Sequence, residues 1–178
     1  MPFHAETARA RRIALAALLM TLAALLGYVE SVILPTMPVP GLRLGLANIA
    51  VVVALATLGT WPALAVSLGR VALVGLATGM IAGPTMFMSA AGALAAWTVM
   101  TLARSQVPGL SAVGWSLAGS AANAVAQLVA ATFVTGSAAP LMLLPISLGL
   151  SIPAGMAIGY AAQLLISRVP RSSLSIAG

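Results

Sequence analysis

Long apolar runs follow one another along the chain, and Gly, Pro and Arg interrupt them at near-regular intervals. A membrane crossing takes about 20 apolar residues as a helix, close to the length of each run, so the punctuation divides the chain into six candidate spans. The first runs from Ile13 to Leu34 and ends in a proline-rich connection containing Pro35, Pro38 and Pro40. The second covers Leu42 to Leu58. Gly59, Thr60, Trp61 and Pro62 then form a tight turn, with Pro62 suited to a first helical turn, and a third helix extends to about Met80. The fourth covers Thr85 to Ala103, and Ser105 to Ser111 form the most polar internal loop. The fifth covers Ala112 to Thr135, and the sixth occupies Leu141 to Ile166, where Pro145 and Pro153 predict a kink or a broken start.

Composition agrees with lipid as the main solvent. Hydrophobic residues make up 61% of the 178, charged residues 6%, and mean hydropathy is +1.12. The fold expected is an all-α integral membrane bundle of six transmembrane helices. Residues 1–12 form a basic N-terminal segment, 13–167 one transmembrane domain, and 168–178 a short tail. Arg9, Arg11, Arg12, Arg104, Arg168 and Arg171 fall on one side if the helices alternate, so the positive-inside rule puts both termini in the cytoplasm. A cleaved signal peptide is the competing reading of the first segment, but the apolar run is too long and lacks a small-residue cleavage site. The formal charge of +6 does not point to nucleic acid, because the arginines are dispersed between apolar segments rather than gathered on one basic face.

With so few charges, those inside apolar segments carry the functional argument. Glu30 lies at the outer end of the first helix, Arg43 at the outer start of the second, and Arg70 midway along the third. An ionisable group at such depth is costly unless it is paired or hydrated, and it usually faces the bundle interior or a cavity. Glu30 and Arg43 are close enough in sequence to pair, either to fix the first loop or to bind a ligand. One acid against two bases predicts a net positive cavity suited to an anionic group. Asn48 adds a polar group on the second helix. Asn123 and Gln127, four residues apart, share one face of the fifth and can either read a ligand or join helices.

Small residues recur at four-residue spacing in Gly75 and Gly79, Ala91 and Ala95, Ala118, Ala122 and Ala126, and Ser151, Gly155 and Gly159, a pattern that lets helices approach closely. Met80, Met86 and Met88 cluster near the connection between the third and fourth helices, where ordinary packing competes with a pocket-lining role. Several chemistries are excluded. Zero cysteines rule out disulfides and thiol nucleophiles, one histidine leaves no histidine metal site, and the absence of Lys rules out a phosphate-binding P-loop. There is no Asp to hold a magnesium diphosphate, and Glu30 alone cannot form an acid/base pair. The expectation is a protein that is not an enzyme and holds neither metal nor cofactor.

The run Tyr28, Val29, Glu30, Ser31, the proline-rich loop, and then Pro40, Gly41, Leu42, Arg43, Leu44, Gly45, Leu46, Ala47, Asn48, Ile49 resembles the signature of the Gx transporter family, also labelled heptaprenyl diphosphate synthase component I. Ser67 to Val71, around Arg70, and Ala118 to Asn123, with Gln127 beyond, look like further blocks of that family, so the resemblance spans about Ile13 to Ile166. The family is similar in size and six-helix architecture to the substrate-binding S components of energy-coupling factor transporters. That resemblance implies a multi-pass protein of a prokaryotic cytoplasmic membrane. It implies capture of a small anionic, prenyl-linked or quinone-precursor-like solute from outside, and reorientation of the loaded bundle driven by a partner transmembrane subunit with ATPases. A small-residue motif on the first helix would dock on that partner, as Ala10 with Ala14 or Ala23 with Gly27. The site residues implied are Glu30, Arg43, Asn48, Arg70, Asn123 and Gln127. Two alternatives stay open: a stand-alone proton-coupled transporter using Glu30, and a non-catalytic membrane accessory of a prenyl diphosphate synthase.

Overall fold

The computed structural model describes residues 3–33 and 45–168, and every regular element in them is helical. These are α1 (Phe3–Ile33), α2 (Asn48–Thr57), α3 (Thr60–Ala77), α4 (Pro84–Gln106), α5 (Ala112–Thr135) and α6 (Leu144–Arg168), with a short 3₁₀ helix (Ala139–Leu143) leading into α6. Five of them, all but α2, are long and apolar enough to cross a membrane, which makes the chain a multi-pass membrane protein. The proline-rich connection, Arg43 and Arg171 lie outside the described residues.

The second apolar segment departs most from expectation. Its helix has ten residues, a length of about 15 Å against a hydrocarbon core of about 30 Å. Eight of the ten are buried, including Ala50, Val51, Val52, Ala54 and Leu55. A helix that is apolar on every side belongs at the centre, and α2 packs against all five longer helices. Around it α1 packs on α3, α3 on α4, α4 on α5 and α5 on α6. The turn from α2 into α3 is made at Gly59, whose φ of 95° suits a residue without Cβ, while Leu58 and Gly59 both donate back to the Ala54 carbonyl.

Helix α1 begins at Phe3, so Arg9, Arg11 and Arg12 of the basic segment are helical and continuous with the first span. The sixth segment has the broken start that its prolines predict: Pro140 sits in the 3₁₀ helix, Pro145 in the first turn of α6, and Pro153 inside α6.

Close helix approaches occur where small residues permit them. A Cβ on Gly159 would stand 2.5 Å from Val113 Cα, and one on Gly155 3.0 Å from Leu117 Cα, so the Ser151, Gly155, Gly159 stripe of α6 lies directly on the α5 backbone. The docking role expected for Ala23 and Gly27 does not fit their positions. Ala23 is fully buried in the core, and Gly27 closes on Val74 and Ala47, so this pair is occupied by α2 and α3. Ala10 and Ala14 are exposed on α1.

Candidate functional site

A helix that ends inside a bundle leaves backbone N–H groups that water cannot reach. The first N–H groups of α2, those of Asn48 and Ile49, donate to Gly45 O and Leu46 O, and the turn so formed is held in place by Glu30, whose side chain is buried at the last turn of α1. Its Oε1 accepts from Gly45 N at 2.7 Å and its Oε2 from Leu46 N at 3.2 Å. Both carboxylate oxygens are thus committed to the segment leading into α2. The expected pairing of Glu30 with Arg43 falls outside the described residues.

Two residues further on, Asn48 opens α2 and is almost wholly buried. Arg70 reaches across from α3 and donates from Nη2 to Asn48 Oδ1 at 3.0 Å. A guanidinium has no acceptor, so the amide atom facing it must be the oxygen, and this settles an orientation that is otherwise ambiguous. The amide nitrogen is left as a buried donor with no hydrogen-bond partner. Arg70 therefore acts by setting Asn48 as a donor.

Asn48 forms one corner of a cavity of about 620 Å³, within the size range of small-molecule sites. The cavity lies towards the α2 N-terminal end of the bundle, remote from Arg12 and Arg104. Ser120, Asn123, Gln127 and Thr135 of α5 line it, as do Met88 of α4, the 3₁₀ helix with Pro140 and Met142, and Ser147, Leu150 and Ser151 of α6. Asn123 and Gln127 lie side by side and are largely buried, and both face this space. Behind them α4 comes close at Gly92, where a Cβ would stand 2.3 Å from Asn123 Oδ1 and 2.7 Å from Gln127 Cγ. That glycine makes room for the two amides.

The structure thus brings Asn48, Asn123 and Gln127 to one cavity, with Arg70 one hydrogen bond behind and Glu30 holding the backbone before α2. Among the described residues the wall carries no formally charged side chain: Glu30 turns to backbone, Arg70 stands behind Asn48, and Arg43 lies outside the described residues. The wall is chiefly apolar, with neutral hydrogen-bonding groups gathered at the Asn48 end.

Several lining residues escaped sequence reasoning. Ser120 and Ser151 were visible only as a member of a family block and as a packing residue, and Met88 only as part of a methionine cluster. Gly92 carried no signal separable from the small residues around it, and the prolines that announced the broken start of the sixth segment did not show that the 3₁₀ helix lines a cavity.

Among models of known families, that described as heptaprenyl diphosphate synthase component I matches residues 19–165. No curated protein and no solved structure matches the chain.

Proposed function

The chain belongs to the heptaprenyl diphosphate synthase component I family, and from that footing we propose that it is a membrane-embedded, non-catalytic binding and transport subunit for a small, mostly apolar solute with a polar end. The observation that carries this reading is the cavity, in which apolar side chains surround a corner of hydrogen-bonding groups formed by Asn48, Ser120, Asn123 and Gln127. A prenyl-linked or quinone-precursor-like molecule has this distribution of polarity. An oxygen at its polar end would accept from the Asn48 amide nitrogen, and the Asn123 and Gln127 amides would supply further donors and acceptors.

The arginine-bearing end faces the cytoplasm and the cavity opens towards the outer face, in keeping with the excess of arginine at one end. The chain has neither Lys nor Asp with which to build a nucleotide site, so energy for transport comes from a partner carrying ATPases. The exposed Ala10 and Ala14 on α1 are available for such a contact.

The family's name favours a second reading, a membrane accessory within a multi-subunit prenyl diphosphate synthase. Native mass spectrometry of the protein purified alone in mild detergent separates the two. A stoichiometric small molecule retained by the wild type and lost from Asn123→Leu and Arg70→Ala supports the binding subunit. An empty cavity, together with loss of activity of a co-purifying synthase when the chain is removed, supports the accessory.

A further inference from the structure

Below the cavity, α5 continues a polar track towards the arginine-bearing end. Ser116, Ser120, Asn123 and Gln127 are spaced i, i+4, i+7 and i+11, which confines them to an arc of about 60° at 100° per residue. All four are buried, and Ser116 is fully so. Together with Thr135 at the cavity's far edge, the track from Ser116 covers 19 residues of rise. That is about 28 Å, close to the full hydrocarbon thickness of about 30 Å.

The two serines at its lower end are unusual in this molecule. Most helical hydroxyls elsewhere donate back to their own helix, as Thr57 does to Val53 O, Thr98 to Leu94 O, Thr135 to Ala131 O and Ser151 to Leu148 O. Ser67 donates across to Ala93 O, and Thr101 on α4 is the one other buried hydroxyl without a partner among the described residues. The Ser116 and Ser120 hydroxyls are buried and have no hydrogen-bond partner. They lie at the seam with α6, where a Cβ on Gly155 would stand 3.2 Å from Ser120 Oγ and one on Gly159 3.2 Å from Ser116 Cβ. Two unmet hydroxyls pressed against glycines are costly in a closed seam and useful in an open one, where they meet water or a solute's polar end.

We propose that the seam between α5 and α6 is the solute's path across the membrane, closed in this structure by Gly155 and Gly159 and lined, when open, by Ser120 and Ser116. The inference rests on the transport reading above and goes beyond it. The solute passes through the bundle by separation of two helices, and the bundle does not turn over as a whole.

The natural chain has no cysteine, so single substitutions report on one position each. Ser147→Cys on the cavity wall, Ser120→Cys, Ser116→Cys and the outward-facing control Val125→Cys would be treated with a charged, membrane-impermeant thiol reagent, in whole cells and in inside-out vesicles supplied with ATP. Serine and cysteine are nearly the same size, and unchanged yield of monodisperse protein checks folding. The expected result is labelling at all three serine positions at least tenfold faster than at Val125→Cys. Labelling of Ser147→Cys with Ser116→Cys as inert as the control, whether or not Ser120→Cys reacts, overturns the path and leaves the cavity intact as a binding site. Failure at Ser147→Cys as well removes the cavity reading itself.

Discussion

Gly92→Ala is the smallest change that tests whether the amide pair serves a ligand. The added methyl would stand 2.3 Å from Asn123 Oδ1 and 2.7 Å from Gln127 Cγ, so both side chains must move by roughly 1 Å into the cavity to restore ordinary contact. If each amide gives a bound solute one net hydrogen bond of about 0.5–1.5 kcal/mol, misplacing both costs about 1–3 kcal/mol of binding, or roughly 5- to 140-fold in Kd. Overpacking adds a stability cost of about 1–3 kcal/mol. Gly69→Ala is the matched control. Its methyl meets an equal overlap, 2.4 Å from Met20 Sδ, but that atom belongs to the far end of a flexible side chain remote from the cavity. Retention of the co-purifying solute by native mass spectrometry, with thermal unfolding in the same detergent, reads both quantities. Gly69→Ala should bind as the wild type does. Binding by Gly92→Ala equal to that of Gly69→Ala would refute the assignment of Asn123 and Gln127 to the ligand.

Glu30→Gln replaces one acceptor of a backbone N–H by an NH₂ group, so about 1.5–3 kcal/mol of stability should be lost in denaturant unfolding, whatever ligand is present. Asn48→Asp keeps an acceptor for Arg70 but removes the amide donor. It should fold, giving an unchanged gel-filtration profile in detergent, and lose the retained solute. Gly159→Ala meets the Val113 backbone, which cannot yield as a side chain does, and should lower stability by at least about 1–3 kcal/mol. Gly149→Ala, with nothing within 4 Å of the new methyl, should gain about 0.5–1 kcal/mol from helix propensity, and thermal unfolding of the pair checks both signs.

Hydropathy and punctuation were enough to locate five long helices, four of them to within a few residues and the first at its end but not its start at Phe3, because lipid demands a minimum apolar length and proline and glycine mark the ends of helices. They could not reveal that the second segment is a half-length buried helix. Leu42 to Leu58 satisfies the same apolar criterion whether it crosses the membrane or fills the centre of a bundle, and only packing distinguishes these cases. The candidate site was legible where polarity itself is rare: Asn48, Asn123 and Gln127 stood out and share one cavity. Serine was not legible, since Ser116 and Ser120 resemble any small residue on an alanine-rich helix until their missing partners are seen. Charge was legible too, but its contacts were not: nothing in the sequence showed that Glu30 accepts from the backbone N–H groups of Gly45 and Leu46.

The use of charge follows from the shortness of α2. A ten-residue helix with eight residues buried ends inside the bundle, so its terminal N–H and C=O groups are met largely from within it. At the start Asn48 N and Ile49 N donate to Gly45 O and Leu46 O, and Glu30 holds those two residues by their own N–H groups. At the other end Arg12 donates to Leu58 O at 3.0 Å, and Arg104, stacked 5.7 Å from the Trp115 ring, donates to Leu55 O. An acid at the N-terminal side and two bases at the C-terminal side also complement the helix dipole. Three of the chain's few charges thus serve one helix, and two of the arginines gathered at one end of the bundle, Arg12 and Arg104, have a role in holding it. Helix α2 and the turn before it are therefore tied to α1, α3 and α4, whereas among the described residues no hydrogen bond joins α5 to α6 and two buried serine hydroxyls at their seam are unmet. An opening that spares α2 breaks no hydrogen bond among the described residues if it divides the bundle along the α5–α6 seam proposed above, where the glycines lie.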